Sequence, residues 1–345
     1  PEPTQLAVDV RPHLAAVGVR FAHGEVRAFG CEGVSLAAGE TIASERVVLA
    51  AGSDALPPPI AGFAEHGMLL DTRADAERLR EAVAALPARA PVVVIGAGFT
   101  GVELAAELAE RQHVVLVERA RELAPSLGDG PRPAIAAALA ELGVELRLGA
   151  SIASVDAGGV TLADGAPIPA RAVFWTGGLR ASPLTQQVAA ERDEAGRLVV
   201  DEFLCVPDAP WLFAAGDVAA AIAAPGRTTL MSCQYAMPTG CVAGHNAVRS
   251  LLDLPLAPFS APTYTTCLDL GRAGAMLSFG FERRVARTGN EAKIVKRFIN
   301  GRVILPPPAE RAALLAAAAL PAPRSEVDML AFFDQLIRSE TRASA

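Results

Sequence analysis

The most regular hydrophobic pattern of the chain lies in residues 92–110, VVVIGAGFTGVELAAELAE. Its continuous apolar start is typical of a buried strand, and the apolar positions three and four apart after the glycines predict an amphipathic helix. Residues 113–118, HVVLVE, form a second apolar run. The pattern predicts a strand, a glycine turn, a helix and a second strand, as in the βαβ units of parallel sheets.

Related patterns extend on both sides of this segment. Residues 71–86 carry apolar positions at helical spacing, with Asp71 or Thr72 as an N-terminal cap. Residues 132–143 predict another helix, and AVFWTGG at 172–178 predicts a last strand. One βαβ-rich unit includes all of these elements.

Two strands that end in glycine bracket this unit: VVLAAG, which ends at Gly52, and VFWTGG, which contains Gly177. Short alternating strands precede the first bracket, and β-rich sequence resumes after the second. The arrangement indicates one domain inserted into another. We therefore expect a discontinuous outer domain at 1–71 and 181–258, an inserted domain at 72–180 and a C-terminal α+β region at 259–345.

Composition and charge exclude two classes of protein. The 31 Lys and Arg residues stand against 38 Asp and Glu, and the formal net charge of -7 provides no basic field for nucleic acid. No apolar run approaches the roughly 18 to 20 residues that cross a bilayer. The N-terminal stretch shows no basic region followed by an apolar core, so we expect a cytoplasmic protein.

The cysteines and histidines indicate neither a disulfide framework nor a metal site. The five cysteines include no CxxC pair, and the five histidines show no ligand spacing. We expect reduced thiols and no bound metal.

Gly96, Gly98 and Gly101 form a G-x-G-x-x-G pattern between the strand and the helix, which is the context that a dinucleotide site requires. In such a site the first glycine turns tightly, the second admits the pyrophosphate, and the third lets helix and strand pack closely. The helix N-terminus then faces negative charge. The alternative is a glycine turn that binds nothing.

Glu118 ends the next strand, at the place where an acidic side chain accepts hydrogen bonds from the ribose hydroxyls of NAD. The carboxylate would repel the 2′-phosphate of NADPH, although Arg119 and Arg121 partly offset that repulsion. We therefore expect NADH as the bound nucleotide.

A second apolar strand, WLFAAGDVAAA at 211–221, ends in Gly216 and Asp217. A carboxylate at a strand end can hold a polyol hydroxyl through a charge-assisted hydrogen bond. The alternative is an ordinary N-cap for the following segment.

The order of these motifs resembles that of the two-dinucleotide-domain flavoproteins, the pyridine nucleotide-disulfide oxidoreductases. In this resemblance VVLAAGS and VFWTGG are the two crossovers, GAGFTG is the NAD site and LFAAGD is the second flavin motif. The resemblance covers residues 5 to 305 and implies an α/β fold with two Rossmann-like domains, the NAD domain inserted in the FAD domain.

Within that family, GAGFTGVELAAEL and RPAIAAALAELGVEL are most similar to type II NADH dehydrogenases, which pass electrons from NADH through FAD to a quinone. The resemblance implies that Asp217 binds the flavin ribityl chain, that Gly52, Gly177 and Gly216 lie beside the cofactors, and that Glu103 lies near the reacting rings as a catalytic residue. From its sequence position alone, Glu103 can equally be a structural partner.

The chain departs from the family pattern in two places. No G-x-G-x-x-G precedes Gly96, so the sequence looks incomplete at its N-terminus, and we expect weak FAD binding or none from the chain as written. In CQYAMPTG at 233–240, Pro238 and Thr239 stand where type II enzymes carry paired glutamines. We place Pro238 in the first turn of a helix whose N-terminus faces the flavin. The quinone acceptor is therefore an open prediction.

The C-terminal segment 327–339, VDMLAFFDQLIRS, carries an apolar face. Two alternatives follow from this face. It can hold the inner face of the membrane, or it can pack on the protein's own domain or on a second subunit in a homodimer.

These observations predict an FAD-dependent oxidoreductase that takes hydride from NADH and passes electrons to a quinone-like acceptor. One alternative keeps both cofactors but uses another protein or small molecule as the acceptor. An alternative of a different class is a non-catalytic module that only binds NADH.

Overall fold

The structure is a computed structural model that describes residues 7–320, 322 and 325–343. Residues 1–6, where the stretch used to predict the cellular location begins, lie outside the described residues. The chain opens with a short helix and an antiparallel meander, as the alternating pattern predicts, and then enters the first crossover. The elements are α1 (Arg11–Ala16), β1 (Val26–Gly30), β2 (Gly33–Leu36), β3 (Thr41–Ala43), β4 (Val47–Leu49) and β5 (Ser53–Ala55).

The next segment builds a five-stranded parallel sheet in the order β6-β13-β7-β8-β9, with three antiparallel strands, β10 to β12, against one face. Its elements are α2 (Phe63–His66), β6 (Gly67–Leu69), α3 (Arg73–Ala85), β7 (Pro91–Ile95), α4 (Phe99–Leu108), β8 (His113–Glu118), α5 (Arg132–Leu142), β9 (Glu145–Leu148), β10 (Ile152–Asp156), β11 (Gly159–Leu162), β12 (Pro167–Pro169) and β13 (Ala172–Trp175).

The predicted strand, turn, helix and strand are β7, the glycine turn, α4 and β8. Val92, Val93 and Val94 are completely buried because parallel strands in the middle of a sheet are covered on both faces. Thr72 caps α3 through a reciprocal capping box with Asp75. The sheet begins with β6, before the predicted boundary at residue 72.

The chain then returns to the outer unit, where β14 pairs antiparallel with β5 and β17 pairs parallel with β4. Because β4 is at the end of its three-stranded sheet, its other edge has no strand partner among the described residues. The elements are β14 (Leu179–Ala181), β15 (Leu198–Val199), β16 (Cys205–Val206), β17 (Ala209–Ala214), β18 (Ala219–Ala220), β19 (Ile222–Ala224), β20 (Arg227–Thr228) and α6 (Cys233–Leu251).

The C-terminal unit is an antiparallel three-stranded sheet with helices on one face. Its other face adds Leu268, Leu270 and Met276 to the core around β7 and α4, so the C-terminal and inserted units share one hydrophobic core. The elements are β21 (Thr265–Asp269), β22 (Ala275–Phe279), β23 (Arg284–Thr288), α7 (Gly289–Phe298), α8 (Arg311–Ala317) and α9 (Glu326–Ala343).

The apolar face of α9 packs on its own unit. Phe333 and Ile337 are buried against β22 and α7, which matches the alternative of packing within the protein. Within the described ranges, no helix combines the length and the hydrophobicity needed to cross a bilayer.

Candidate functional site

Two of the three glycines in the turn after β7 are required by the protein itself. Gly96 has φ +99°, a conformation that residues with a side chain rarely adopt. A Cβ on Gly101 would lie 1.8 Å from the carbonyl oxygen of Gly96, so helix α4 could not approach the turn with any larger residue. Tight turning and close packing therefore explain both positions.

Gly98 has no such internal reason. Its backbone is extended, and the nearest atom to a Cβ placed there is the Ser126 hydroxyl oxygen, at 3.8 Å. Gly98 is also the N-cap of α4, and no side chain caps that helix. The space in front of Gly98 and the free amides of the first turn fit a bound phosphate.

The Glu118 carboxylate is held beside this turn. One oxygen accepts a hydrogen bond from the Ala97 amide at 2.8 Å and the other from the Ala120 amide at 2.9 Å. Each oxygen can accept a further bond, so the carboxylate is fixed and still able to bind ribose hydroxyls. The predicted grouping of Gly96, Gly98 and Glu118 is therefore present in the structure.

A second site lies in the outer unit, where a pocket of about 270 Å³ opens between the first crossover, the end of β17 and the start of α6. Asp217 lies inside a short 3₁₀ turn and accepts a 2.7 Å hydrogen bond from the Ser53 hydroxyl, so it is not the N-cap of that turn. The structure brings together three predicted residues, Gly52, Gly216 and Asp217. The pocket is lined by Ala50, Gly52, Ala215, Gly216, Asp217, Ser232, Cys233, Ala236 and Gly240.

The position predicted for Pro238 is wrong. Helix α6 begins at Cys233, so Pro238 lies inside the helix rather than in its first turn, and Ser232 and Cys233 form the helix start at the pocket. The error arose because a proline favours a helix N-terminus, whereas here the preceding turn is stabilised by packing. A contact between Pro238 and a cofactor stays a prediction.

Sequence reasoning gave no role to Thr239, the residue after Pro238. Its buried hydroxyl accepts a 2.9 Å hydrogen bond from the Gly216 amide and lies 2.6 Å from the Tyr235 carbonyl oxygen. The hydroxyl therefore ties the Gly216 turn to helix α6. The sequence feature that could have indicated this role is a threonine in the middle of an apolar helix face.

The two crossovers connect the sites. The Ser182 amide donates to the Gly52 carbonyl oxygen, and the Leu56 amide donates to that of Gly178, both at 2.9 Å. Gly177 follows Thr176, whose hydroxyl donates to the carbonyl oxygens of Ile95 and Gly96. Gly177 therefore lies against the glycine turn, while Gly52 lies in the pocket.

Glu103 connects α4 to the C-terminal unit. One carboxylate oxygen accepts hydrogen bonds from the Asp269 amide at 2.7 Å and from Lys296 Nζ at 2.8 Å. Lys296 Nζ also lies 5.3 Å from the centre of the Phe99 ring. These contacts match the alternative of a structural partner, and the catalytic role of Glu103 stays a prediction.

Lys296 was missed in the sequence because it is 193 residues from Glu103 and lies on α7, which was not predicted. The sequence feature that could have indicated Lys296 is its position one helical turn after Lys293 in an amphipathic segment. Lys293 forms a second ion pair nearby, with Asp269. The C-terminal unit thus places two cations along α4.

A family model described as pyridine nucleotide-disulphide oxidoreductase matches residues 3–240. This span includes both glycine-rich sites and both crossovers. The chain belongs to the pyridine nucleotide-disulphide oxidoreductase family. The prediction of family and of a two-domain α/β fold is thereby confirmed.

Individual members of the pyridine nucleotide-disulphide oxidoreductases refine this result. An NADH dehydrogenase-like protein of Mycobacterium tuberculosis is 42% identical, with 89% of this chain and 82% of that protein covered. A demethylphylloquinone reductase of Synechocystis is 28% identical, over 77% of this chain and 70% of that protein. The crystal structure of a ferredoxin reductase from Rhodopseudomonas palustris has a TM-score of 0.68 at 22% identity, covering 77% of this chain and 66% of that one, and this likeness shows the fold.

The chain is therefore an oxidoreductase of this family, as the sequence predicted, and it is similar to a protein named NADH dehydrogenase-like. Its five cysteines are all free. Among the described residues, no cluster of three or more His, Cys, Asp or Glu side chains is arranged to hold a metal ion.

Proposed function

We propose that the protein oxidises NADH with FAD as its bound cofactor and passes the electrons to a quinone-like acceptor. The observation that carries the proposal is the pairing of the two crossovers, which joins the Glu118 site to the Asp217 pocket. A nucleotide at one site and a flavin at the other would therefore meet where these strands cross.

The residues of the pocket fit the flavin end of FAD. Gly52 has φ +70°, a conformation that itself favours glycine, and a Cβ there would find no atom within 4 Å, so the space beside it is open to a ligand. Asp217 can accept from a ribityl hydroxyl, and the first turn of α6 has no side-chain cap, so its amides can face an electron-rich ring edge. When bound, FAD supplies the group that accepts hydride from NADH.

The chain's own residues would bind and orient the nucleotide. The amides at the start of α4 would hold the pyrophosphate, and Glu118 would hold the adenosine ribose and disfavour a 2′-phosphate. We therefore propose NADH rather than NADPH as the donor. Positioning of the two rings against each other supplies the rate advantage, and it requires no nucleophile from the protein.

The visible spectrum tests the proposal. The protein is incubated with FAD, freed of unbound FAD and recorded under argon before and after addition of NADH. The proposal requires a flavin spectrum that NADH bleaches, whereas the lack of a G-x-G-x-x-G before Gly96 predicts weak FAD binding or none, so the spectrum decides between the two. Asp217→Ala should retain less FAD, whereas Asp208→Ala, on the exposed turn before β17, should match the wild type. A colourless wild-type protein after FAD treatment would contradict the flavin part of the proposal.

The quinone acceptor is supported by the relative named as a quinone reductase. A second candidate is another protein or small molecule, which Pro238 and Thr239 favour because they replace the paired glutamines of type II enzymes. Steady-state rates with a water-soluble quinone and with a one-electron dye separate the two candidates. A rate at least tenfold higher with the quinone at equal concentrations supports the quinone candidate, and equal rates oppose it.

Contact with a membrane surface is a further part of the proposal, since quinones are held in membranes. Helix α9 leaves Val327 and Phe332 exposed although the rest of its apolar face is covered. Co-sedimentation with anionic vesicles tests this contact, and recovery of the protein in the supernatant at low salt would contradict it.

A further inference from the structure

The loop between β8 and α5 lies directly over the glycine turn. Its Ser126 hydroxyl oxygen is 3.8 Å from the position of a Cβ on Gly98, the glycine for which the protein itself shows no packing reason. The second glycine of such a turn is where the pyrophosphate approaches the backbone. The position of Ser126 therefore affects the space in which the pyrophosphate would bind.

The hairpin between β22 and β23 holds this loop at two points. Arg283 Nη1 donates a 2.7 Å hydrogen bond to the Ser126 carbonyl oxygen. At Gly130 a Cβ would lie 2.9 Å from the Arg283 carbonyl oxygen and 3.0 Å from that of Glu282, so hairpin and loop backbones are in direct contact. The C-terminal unit thus fixes a loop that belongs to the inserted unit.

Arg283 is itself held rigidly. Its φ of +48° is in the left-handed region, which a non-glycine residue adopts only when its surroundings require it. Its guanidinium carbon lies 5.6 Å from the centre of the Tyr264 ring, and Tyr264 is stacked between Tyr235 and Phe281. A planar cation on an aromatic face has few alternative positions.

No carboxylate pairs with Arg283 within the described part of the chain, and the neighbouring Glu282 pairs with Arg227 instead, at 2.6 Å. Its Nε atom is buried and has no hydrogen-bond acceptor there. The positive charge is therefore not neutralised locally, and it is separated from the glycine turn by only the Ser126 loop. Such a charge favours an approaching diphosphate.

We propose that Arg283 is a positioning residue for the diphosphate of NADH, acting through the loop at Ser126. This inference rests on the proposed function, because it assumes that the turn at Gly98 binds NADH. In this arrangement the C-terminal unit positions part of the nucleotide site.

Steady-state kinetics and fragment binding test the inference. Arg283→Ala removes one charge-assisted hydrogen bond to the loop and should therefore raise the KM for NADH about tenfold. The kcat should stay within about twofold of the wild-type value. The affinity for ADP-ribose should fall by the same factor and that for adenosine should not change. Arg283→Lys should restore part of the affinity, since it keeps the charge but loses the planar fork.

Two further variants make the result independent of a folding defect. Gly130→Ala should raise the KM for NADH in the same way, because the added Cβ would push the hairpin away from the loop. Arg284→Ala is the matched control, since Arg284 is next in the hairpin but pairs with Glu326 and is largely exposed. A KM within twofold of wild type for both Arg283→Ala and Gly130→Ala would overturn the inference. If wild-type protein binds no NADH, the proposed function fails, and this inference fails with it.

Discussion

The glycines of the turn between β7 and α4 lack side chains for different physical reasons. Gly96 is required by its φ of +99°, and Gly101 is required because a Cβ would overlap the Gly96 carbonyl oxygen. Gly98 meets neither condition. The pattern that predicts one nucleotide site in the sequence is therefore composed of two glycines that the protein's own structure requires and a third, Gly98, beside which the proposed nucleotide would bind.

A pair of alanine variants separates these purposes. Gly101→Ala should destabilise the protein by at least about 2 kcal/mol, because helix α4 must move away from the turn. Gly98→Ala should leave the melting temperature almost unchanged and still weaken NADH binding, since its methyl group would occupy ligand space. Thermal unfolding and a fluorescence titration with NADH measure both effects. Equal NADH affinity of Gly98→Ala and wild type would show that the phosphate does not approach Gly98.

Glu103 has a structural partner, and its predicted catalytic role is separable from that partnership. Glu103→Gln leaves Lys296 without its counter-charge in a partly buried position, which should lower stability by about 1 to 3 kcal/mol. If Glu103 acts near the reacting rings, the rate at saturating NADH should also fall about tenfold or more. Glu110→Gln, on the exposed side just after α4, is the control. Lower stability with an unchanged rate would remove Glu103 from the mechanism.

Helix α6 connects three regions at the level of single elements. Its first residues line the Asp217 pocket, its Thr239 holds the Gly216 turn, and its Tyr235 stacks on Tyr264 of the C-terminal unit. Burial raises the pKa of the Tyr235 hydroxyl to about 12, so this ring stays neutral at physiological pH. The helix is therefore anchored at its N-terminal end, where the flavin is proposed to bind.

Thiol alkylation reports on this helix end. Burial raises the pKa of Cys267 to about 12 and that of Cys205 to about 11, so at pH 8 neither forms the reactive thiolate, whereas Cys31 and Cys233 are exposed. At pH 8 we expect N-ethylmaleimide to modify Cys31 and Cys233 first. Because Cys233 lies in the pocket wall, bound FAD should protect it from alkylation and leave Cys31 reactive. Peptide mass spectrometry measures the modification of both cysteines. Equal labelling of Cys233 with and without bound FAD would place the flavin elsewhere.

Local patterns predicted the elements around the nucleotide turn because the reasons for β7, α4 and β8 lie within each segment. The predicted strand at 113–118 coincides with β8 (His113–Glu118). The start of α6 was misplaced because Pro238 satisfies a rule for helix N-termini, while the true start depends on contacts with the pocket wall. Helix α7 was missed although its segment is amphipathic, and the ion pair of Lys296 with Glu103 could not be predicted because 193 residues separate the two.

At the scale of the whole molecule, the sequence predicted the order of the units but not how they pack. The two glycine-ended segments that were predicted to bracket the inserted unit lead into strands that pair with each other, β5 and β14, and the domain boundaries stay a prediction. Strands β21 and β22 contribute to the core around α4 through side chains that meet only after folding, so the sequence did not indicate this contact. The bond from Arg283 to the Ser126 loop likewise spans 157 residues of sequence.

The shared core predicts cooperative unfolding of the inserted and C-terminal units. Leu268 is completely buried in that core, and Leu268→Ala should lower the free energy of unfolding by about 2 to 5 kcal/mol. Because the core belongs to both units, we expect one shifted transition in calorimetry and a parallel loss of NADH binding. Leu254→Ala, at a position with 47% exposure, should have little effect. A separate low-temperature transition for the C-terminal unit alone would argue against the shared core.

Strand β4 forms the end of the sheet that carries the Asp217 turn, and the described residues place no strand on its outer side. The backbone groups along that side can therefore act as a template for a strand from another molecule. Glu45 and Arg46 precede this edge and discourage such pairing by their charge, while Val48 is 36% exposed. If this side of β4 is uncovered in solution, concentrated samples should self-associate through β4, more so in high salt, and Val48→Lys should keep them dispersed.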